Sequence, residues 1–307
     1  MLLRLLTALL VVVMPGLAPV QAQAPATSFP PAWVIRDADT EITLLPTVHA
    51  LPPGISWLSP PVTRRFDTAD ILVLETVMPE DRFELAPLIQ QLGIDPALPP
   101  LARRLSPVSA EAVTAAAAAN GIPMAALDRM QPWLAAVTLA EASLSAIGIT
   151  AANGVEPALT ARARSMNRTI VALETPAQQL GLFAGLPQAD QIAMLEATVA
   201  DIATARADTD RLLALWLAGD MDAIAVEFSR EARASPRLTE TLLTARNRRW
   251  ADWLANELAT RPGRLFVAVG AGHFGGEEGL LALLAARGYT PELLPAPAPP
   301  RPARRRR

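Results

Sequence analysis

Four side chains capable of acid–base or ligand chemistry fall at the ends of apolar runs of strand length. His49 follows Ile42–Leu45 after Pro46-Thr47-Val48, and Glu75 follows Ile71–Leu74. Glu174 follows Ile170–Leu173, and His273 follows Phe266–Val269 after Gly270-Ala271-Gly272. The two Glu share a local pattern, Ile71-Leu-Val-Leu-Glu-Thr76 and Ile170-Val-Ala-Leu-Glu-Thr175. In an open α/β sheet the carboxyl ends of neighbouring strands form one rim, and ligands bind there. Two imidazoles and two carboxylates on such a rim are a donor set for a divalent metal that keeps a water position open. Metal-bound water is a nucleophile near neutral pH, and a carboxylate not used as a ligand can act as general base. The glycines before His273 would let the backbone approach a ligand closely. Each residue also has an ordinary reading: a Glu after a strand caps a helix or faces solvent, and a His there is a loop residue.

A second group is Arg246-Asn247-Arg248-Arg249-Trp250, in a stretch of helical pattern. Arg246, Arg249, Trp250 and Trp253 share one helix face by their spacing. The functional reading is an Arg246/Asn247 pair that reaches the rim to bind a substrate carboxylate or a developing oxyanion. The alternative is a salt-bridged helix with its Trp in the core.

Composition narrows the chemistry. The chain of 307 residues has no Cys, which excludes disulfides, a thiol nucleophile and Cys-ligated metal. All 27 basic residues are Arg, so Schiff-base and P-loop lysines are excluded as well. There are only two His, so any imidazole chemistry uses His49, His273 or both. Hydrophobic residues make up 51% of the chain but aromatics only 5%, so Ala and Leu must fill most of a sizeable core. Arg4 and the five Arg from Arg301 onward lie outside the expected folded body, which leaves that body more acidic than the overall net charge of −3. An acidic body is a poor partner for phosphate backbones, so no nucleic-acid partner is expected.

The elements that must position these residues alternate. Trp33–Arg36 and Glu41–Leu45 read as strands joined by a turn at Asp37–Asp39. Ile71–Leu74, Thr169–Leu173 and Leu265–Val269 read as further strands, with Thr290–Leu294 as a last one. Helical pattern covers Pro60–Ala69, about 79–168, and about 176–260. Within it Ser106 or Ser109 caps an Ala-rich helix, and Pro132, Pro157 and Pro236 open others, while Gly279–Arg287 forms the last. The fold class expected is α/β, a mixed sheet with helices on its faces and a large helical insertion, a lid or subdomain, at about 79–168.

The two ends read differently from the body. Met1–Arg4, the apolar run Leu5–Val13, the break at Pro15-Gly16 and the small residues around Val20-Gln21-Ala22 have the form of a secretory signal peptide over residues 1–22. Periplasmic or secreted localisation is the expectation. Residues 23–31 are a Pro/Ala-rich linker, and 295–307 a disordered Pro/Arg-rich tail able to contact anionic membrane surfaces weakly.

Several of these segments resemble the TraB/GumN (TraB/PrgY) family. They are Thr43–His49 with Leu51-Pro52, Ile71–Glu75, Gln131-Pro132-Trp133, Gly154-Val155-Glu156, Val171–Gln178, Arg246–Trp250, Val267–His273, and Gly279-Leu280-Leu281 through Arg287-Gly288-Tyr289. The resemblance spans roughly residues 31–294. It implies an α/β fold whose two Gly-x-x-His motifs are implicated in divalent-metal-dependent hydrolysis; an animal branch is described as a Wnt-inactivating metalloprotease. Carried over, the motif histidines are His49 and His273 and the strand-end acid is Glu75. One departure stands out: the Gly of the first motif is Pro46 here, which fixes φ and offers no N–H.

Together these readings give a divalent-metal-dependent hydrolase, or peptidase, of the bacterial cell envelope. The metal would be held by His49, His273 and Glu75, with Glu75, Glu174, Arg246 and Asn247 as catalytic candidates and a peptide or small molecule as substrate. The alternative is a non-catalytic metal- or ligand-binding envelope protein on the same fold.

Overall fold

The computed structural model describes residues 29–79, 81–232 and 236–295. The expected signal peptide, most of the linker and nearly all of the Arg-rich tail lie outside the described residues. A six-stranded mixed sheet runs in the order β4-β3-β5-β2-β1-β6. Its strands are β1 (Trp33–Arg36), β2 (Thr40–Thr47), β3 (Ile71–Leu74), β4 (Thr169–Ala172), β5 (Gly263–Gly270) and β6 (Glu292–Leu293). β4, β3, β5 and β2 are parallel, while β1 and β6 add an antiparallel flank.

Local chemistry explains the elements. The β1–β2 hairpin closes through Asp37, whose carboxylate accepts the N–H groups of Asp39 at 3.1 Å and Thr40 at 2.8 Å. β2 and β5 pair over their whole length, Thr40 opposite Gly263 to Thr47 opposite Gly270. Both are buried along most of their length without in–out alternation, as strands covered on two faces are: Ile42, Leu44 and Leu45, and Phe266 to Val269, are fully buried. β4, at the sheet edge, is the least buried of the parallel strands. Ser59 and Ser106 cap the helices Pro60–Thr68 and Pro107–Ala119, each followed by Pro at the first helical position.

Two cores result. The sheet packs with Phe66, Trp216, Trp250, Phe274 and the Val155–Ser165 helix. A second, all-helical core holds Trp133, Leu139, Phe183, Met194 and Leu195, with the Pro132–Ala146 helix lying on the Gln188–Ile202 helix. That second core draws on the chain both before and after β4. The Val155–Ser165 helix, within the stretch read as an insertion, packs on the sheet instead. Among the described residues no helix is long and apolar enough to cross a membrane.

Pro46 sits inside β2, buried, opposite Val269. Its carbonyl accepts the indole N–H of Trp216 at 2.9 Å. The nitrogen and carbonyl of a strand residue point to the same side, so the missing N–H faces the Ala205–Ala218 helix and removes no bond to β5.

Candidate functional site

The parallel strands β4, β3, β5 and β2 end on one rim, and their order places Glu174, Glu75, Gly270 and then His49 side by side along it. Pairing continues one step past β3 and β4: the Glu174 N–H donates to the Glu75 carbonyl at 2.8 Å. Glu75 is the hub. Its Oε1 accepts the Gly270 N–H at 2.7 Å, and its Oε2 accepts from Arg246 Nη2 at 2.6 Å and from Gln179 Nε2 at 3.4 Å. The Nε2 atoms of His49 and His273 both stand 3.7 Å from Oε1. Burial alone would raise the Glu75 carboxyl. The Arg246 guanidinium, with the imidazoles and the Gly270 N–H, instead holds it well below the ordinary carboxylate range.

His49 is placed by a segment far away in sequence. At the start of the Val155–Ser165 helix, the Val155 N–H donates to the Val48 carbonyl at 3.2 Å. Gly154 lies so close that a Cβ there would stand 2.1 Å from the His49 carbonyl oxygen. Only glycine permits that approach, and the approach brings Glu156 to His49: Oε1 is 2.7 Å from Nδ1. Thr47 Oγ1 donates to the same oxygen, while Glu156 Oε2 is buried without a partner. Burial would lower the His49 imidazole, but the charge and hydrogen bond of Glu156, helped by Glu75, raise it to about 9.

His273 is placed by the Ala245–Thr260 helix. Asn247 Oδ1 meets its Nδ1 at 2.5 Å, and Asn247 Nδ2 donates to the Glu278 carbonyl at 2.8 Å. Trp250 lies against the ring with centroids 4.4 Å apart. Burial drives the His273 imidazole down to about 3; Glu75 pulls it up, and Arg246 and His49 push it further down. The glycines before it supply space rather than unusual backbone. Gly270 has φ −53, and a Cβ there would come 2.8 Å from His49 Nε2 and 3.1 Å from Glu75 Oε1. A Cβ on Gly272 would come 2.7 Å from the Phe228 ring.

Arg246 locks the two carboxylates together. Its Nε donates to both oxygens of Glu174 at 3.1 Å, and its Nη2 bridges Glu75 and Glu174. Its Nη1 reaches the Leu242 carbonyl at 3.0 Å and His273 Nε2 at 3.3 Å. Leu242 belongs to a π-helical turn, Glu240–Thr244, just before Arg246. Such turns recur at functional sites. Every nitrogen of this guanidinium is engaged inside the protein. Arg249, whose side chain is 56% exposed, gives one hydrogen bond to Glu174 Oε1 at 3.1 Å and turns the rest of its guanidinium outward.

The structure thus brings together all six residues singled out from the sequence: His49, Glu75, Glu174, Arg246, Asn247 and His273. Glu75, Glu174, Arg246, Asn247 and His273 are almost entirely buried; His49, at 18%, is the most exposed of the six. Three members went unseen. Glu156 lies in the Gly154-Val155-Glu156 segment, where an acid in a first helical turn reads as an ordinary dipole partner. Gln179 hides one residue beyond the Thr175/Gln178 capping box. Thr47 reads as a strand residue. Among the described residues no three His, Asp or Glu side chains already stand at metal-holding geometry. In donor type, two imidazole nitrogens and Glu75 Oε1 between them fit a divalent cation.

Residues 31–293 match the TraB/PrgY/gumN family. The chain is also similar to the uncharacterized protein YbaP of Escherichia coli (strain K12), 24% identical over 241 residues that cover 78% of this chain and 86% of that protein. The YbaP of Shigella flexneri matches to the same extent. No solved structure matches the chain.

Proposed function

The chain belongs to the TraB/PrgY/gumN family, and from that premise we propose that it is a divalent-metal-dependent hydrolase of the bacterial cell envelope, acting on a peptide or a small acyl compound. One observation supports the reading above the rest. Two imidazoles from different strand ends place their Nε2 atoms 3.7 Å from the same carboxylate oxygen, Glu75 Oε1, each with its Nδ1 tied back to another residue. His49, His273 and Glu75 would hold the cation. When bound, the cation supplies a water of lowered pKa and a Lewis acid for the scissile carbonyl.

The chain's own residues do the rest. Arg246 and the Gly270 N–H fix the Glu75 carboxylate so that Oε1 faces both rings. Glu174, gripped by Arg246 and Arg249, acts by holding Arg246 in place, since both its oxygens already accept from guanidinium groups. His49, the most exposed of the core groups, is where a substrate enters, and Arg249 offers outward donors for a substrate carboxylate. Envelope location rests on the signal-peptide pattern of residues 1–22.

The test is metal content after purification without chelators, joined to hydrolysis of a peptide and ester panel. One bound metal per chain, metal-restored turnover after chelation, and loss of both in His49→Ala and His273→Ala are expected. A second reading, non-catalytic binding on the same rim, is favoured by how little of Glu75, Glu174, Arg246 and His273 reaches solvent. Metal uptake without turnover on any substrate would select it. Unchanged metal content in both His variants would remove the metal from either reading.

A further inference from the structure

We infer that Glu156 and Asn247 are positioning residues that force both imidazoles to present the same atom, Nε2, to Glu75. The inference rests on the proposed use of this rim but concerns the metal-free protein, so it can be tested apart from hydrolysis.

The assignment at His273 follows from what its neighbours can donate. Asn247 Nδ2 is spent on the Glu278 carbonyl, and a carbonyl can only accept. The other end of the amide, Oδ1, is therefore an acceptor facing His273 Nδ1 at 2.5 Å, and Nδ1 must carry the proton. Arg246 gives the same answer from the opposite side of the ring. A guanidinium has no acceptor, so Nη1 at 3.3 Å from Nε2 requires a lone pair there. Two partners on one helix thus fix one tautomer.

At His49 the device differs. Glu156 Oε1 accepts at 2.7 Å from Nδ1, and Thr47 Oγ1 on the same oxygen steadies the carboxylate. The Nδ1 proton is held, so Nε2 is the nitrogen that exchanges its proton with solvent or yields it to a ligand. A carboxylate on the Val155–Ser165 helix and an amide on the Ala245–Thr260 helix therefore perform one task for two rings. Residues behind the ligands that fix ring orientation and tautomer in this way commonly control metal affinity by about 10–100-fold. Asn247 accordingly acts through His273: both ends of its amide are engaged within the protein and the residue is buried.

The protein's two histidines make the test direct, because labelling with ¹⁵N-histidine gives two ring systems. In the metal-free full chain we expect two exchange-protected ring N–H protons, both on Nδ1, and an unprotonated Nε2 on His273 at neutral pH. Glu156→Leu should abolish the protected signal of His49 alone, and Asn247→Leu that of His273 alone. Glu156→Gln and Asn247→Asp, which keep an acceptor, should restore them. Titration with zinc should show affinity reduced at least tenfold in each Leu variant and within a few-fold of the parent in the conservative ones. Circular dichroism and melting identify any variant that fails to fold, and the unmodified chain and the conservative variants still carry the test. A protected Nε2–H on His273 in the unmodified protein, or both Nδ1 signals persisting in folded Leu variants, would overturn the inference. Intact Nδ1 signals with no hydrolytic activity would instead leave it standing and count against the proposed reaction.

Discussion

The backbone N–H of Gly270 donates to Glu75 Oε1 at 2.7 Å, and the hydrogen where its side chain would begin faces the gap between that oxygen and His49 Nε2. A methyl group there would lie 2.8 Å from the imidazole nitrogen and 3.1 Å from the carboxylate. Gly270→Ala should therefore push His49 and Glu75 apart and cut metal affinity and turnover more than tenfold. The strand, whose φ at this residue suits any L-amino acid, should still form. Gly272→Ala makes the contrast: its methyl meets the Phe228 ring at 2.7 Å, an overpacking worth about 1–3 kcal/mol of stability with a smaller effect on metal uptake. Urea unfolding and calorimetric zinc titration of the two variants separate the effects; equal loss of affinity in both would refute the assignment.

How much of this was readable beforehand follows from where the partners lie. Ile71–Leu74 and Phe266–Val269 are continuous apolar runs that can be little else than buried strands, so the rim and its strand-end residues follow from local pattern. Glu156 does not, because what distinguishes it is Thr47, 109 residues earlier in the chain, and the His49 ring beside it. The same limit applies to Gly270. A glycine chosen for backbone freedom and one chosen for an empty Cβ position are the same letter. The stretch opened by Pro236 reads as one helix, yet the structure divides it into Pro236–Thr239, the π turn and Ala245–Thr260. The Leu242 carbonyl that receives the Arg246 side chain belongs to that tertiary arrangement, and no periodicity announces it.

Stability should peak near neutral pH, with the two histidines responsible for opposite limbs. His49 is raised from 6.5 to about 9 in the folded chain, so its contribution is complete below pH 6.5 and is lost as pH rises through 9. His273 is lowered from 6.5 to about 3, so its contribution is complete above pH 6.5 and is lost as pH falls through 3. Glu75, depressed as well, adds to the acid limb below the ordinary carboxylate range. Melting temperature measured from pH 4 to pH 9.5 should show a maximum near 6.5. His49→Gln should flatten the alkaline limb and His273→Gln the acid limb. A melting temperature indifferent to pH between 6.5 and 9 would contradict the Glu156–His49 pairing.

Removing Arg246 should unfold or badly destabilise the protein before it changes any chemistry. Its side chain is 5% exposed and faces two carboxylates that are 4% and 5% exposed. Arg246→Met leaves both buried charges without their partner, a change that costs about 3–5 kcal/mol when one member of a buried pair is deleted. Glu174→Gln in the same background removes one of the stranded charges and should recover part of the loss. Denaturant unfolding of the single and double variants completes the cycle. Strict additivity would mean that Arg246 and Glu174 are not coupled, against the 3.1 Å contacts between them.

Pro46→Gly restores the residue that the resemblance leads one to expect at the first motif, and it should lower stability without improving the site. Pro46 is buried in β2, with its ring nitrogen turned to the side on which Trp216 donates to its carbonyl. No ladder bond to β5 is missing, so glycine has none to regain. What glycine adds is freedom in the unfolded chain, worth about 0.5–1 kcal/mol against the folded state, and it removes a buried ring that fills space in the sheet core. His49 takes its place from Gly154, Val155 and Glu156 at the start of the Val155–Ser165 helix, and the one neighbour of position 46 that joins them, Thr47, does so through its side chain. Metal affinity in Pro46→Gly should therefore stay within a factor of about two of the parent, while the denaturation midpoint falls. Trp216→Phe, which deletes the indole donor to the Pro46 carbonyl, should lower the midpoint too and likewise spare the affinity. A clear rise in affinity or turnover in Pro46→Gly would show that proline holds the strand end, and with it His49, away from its best position.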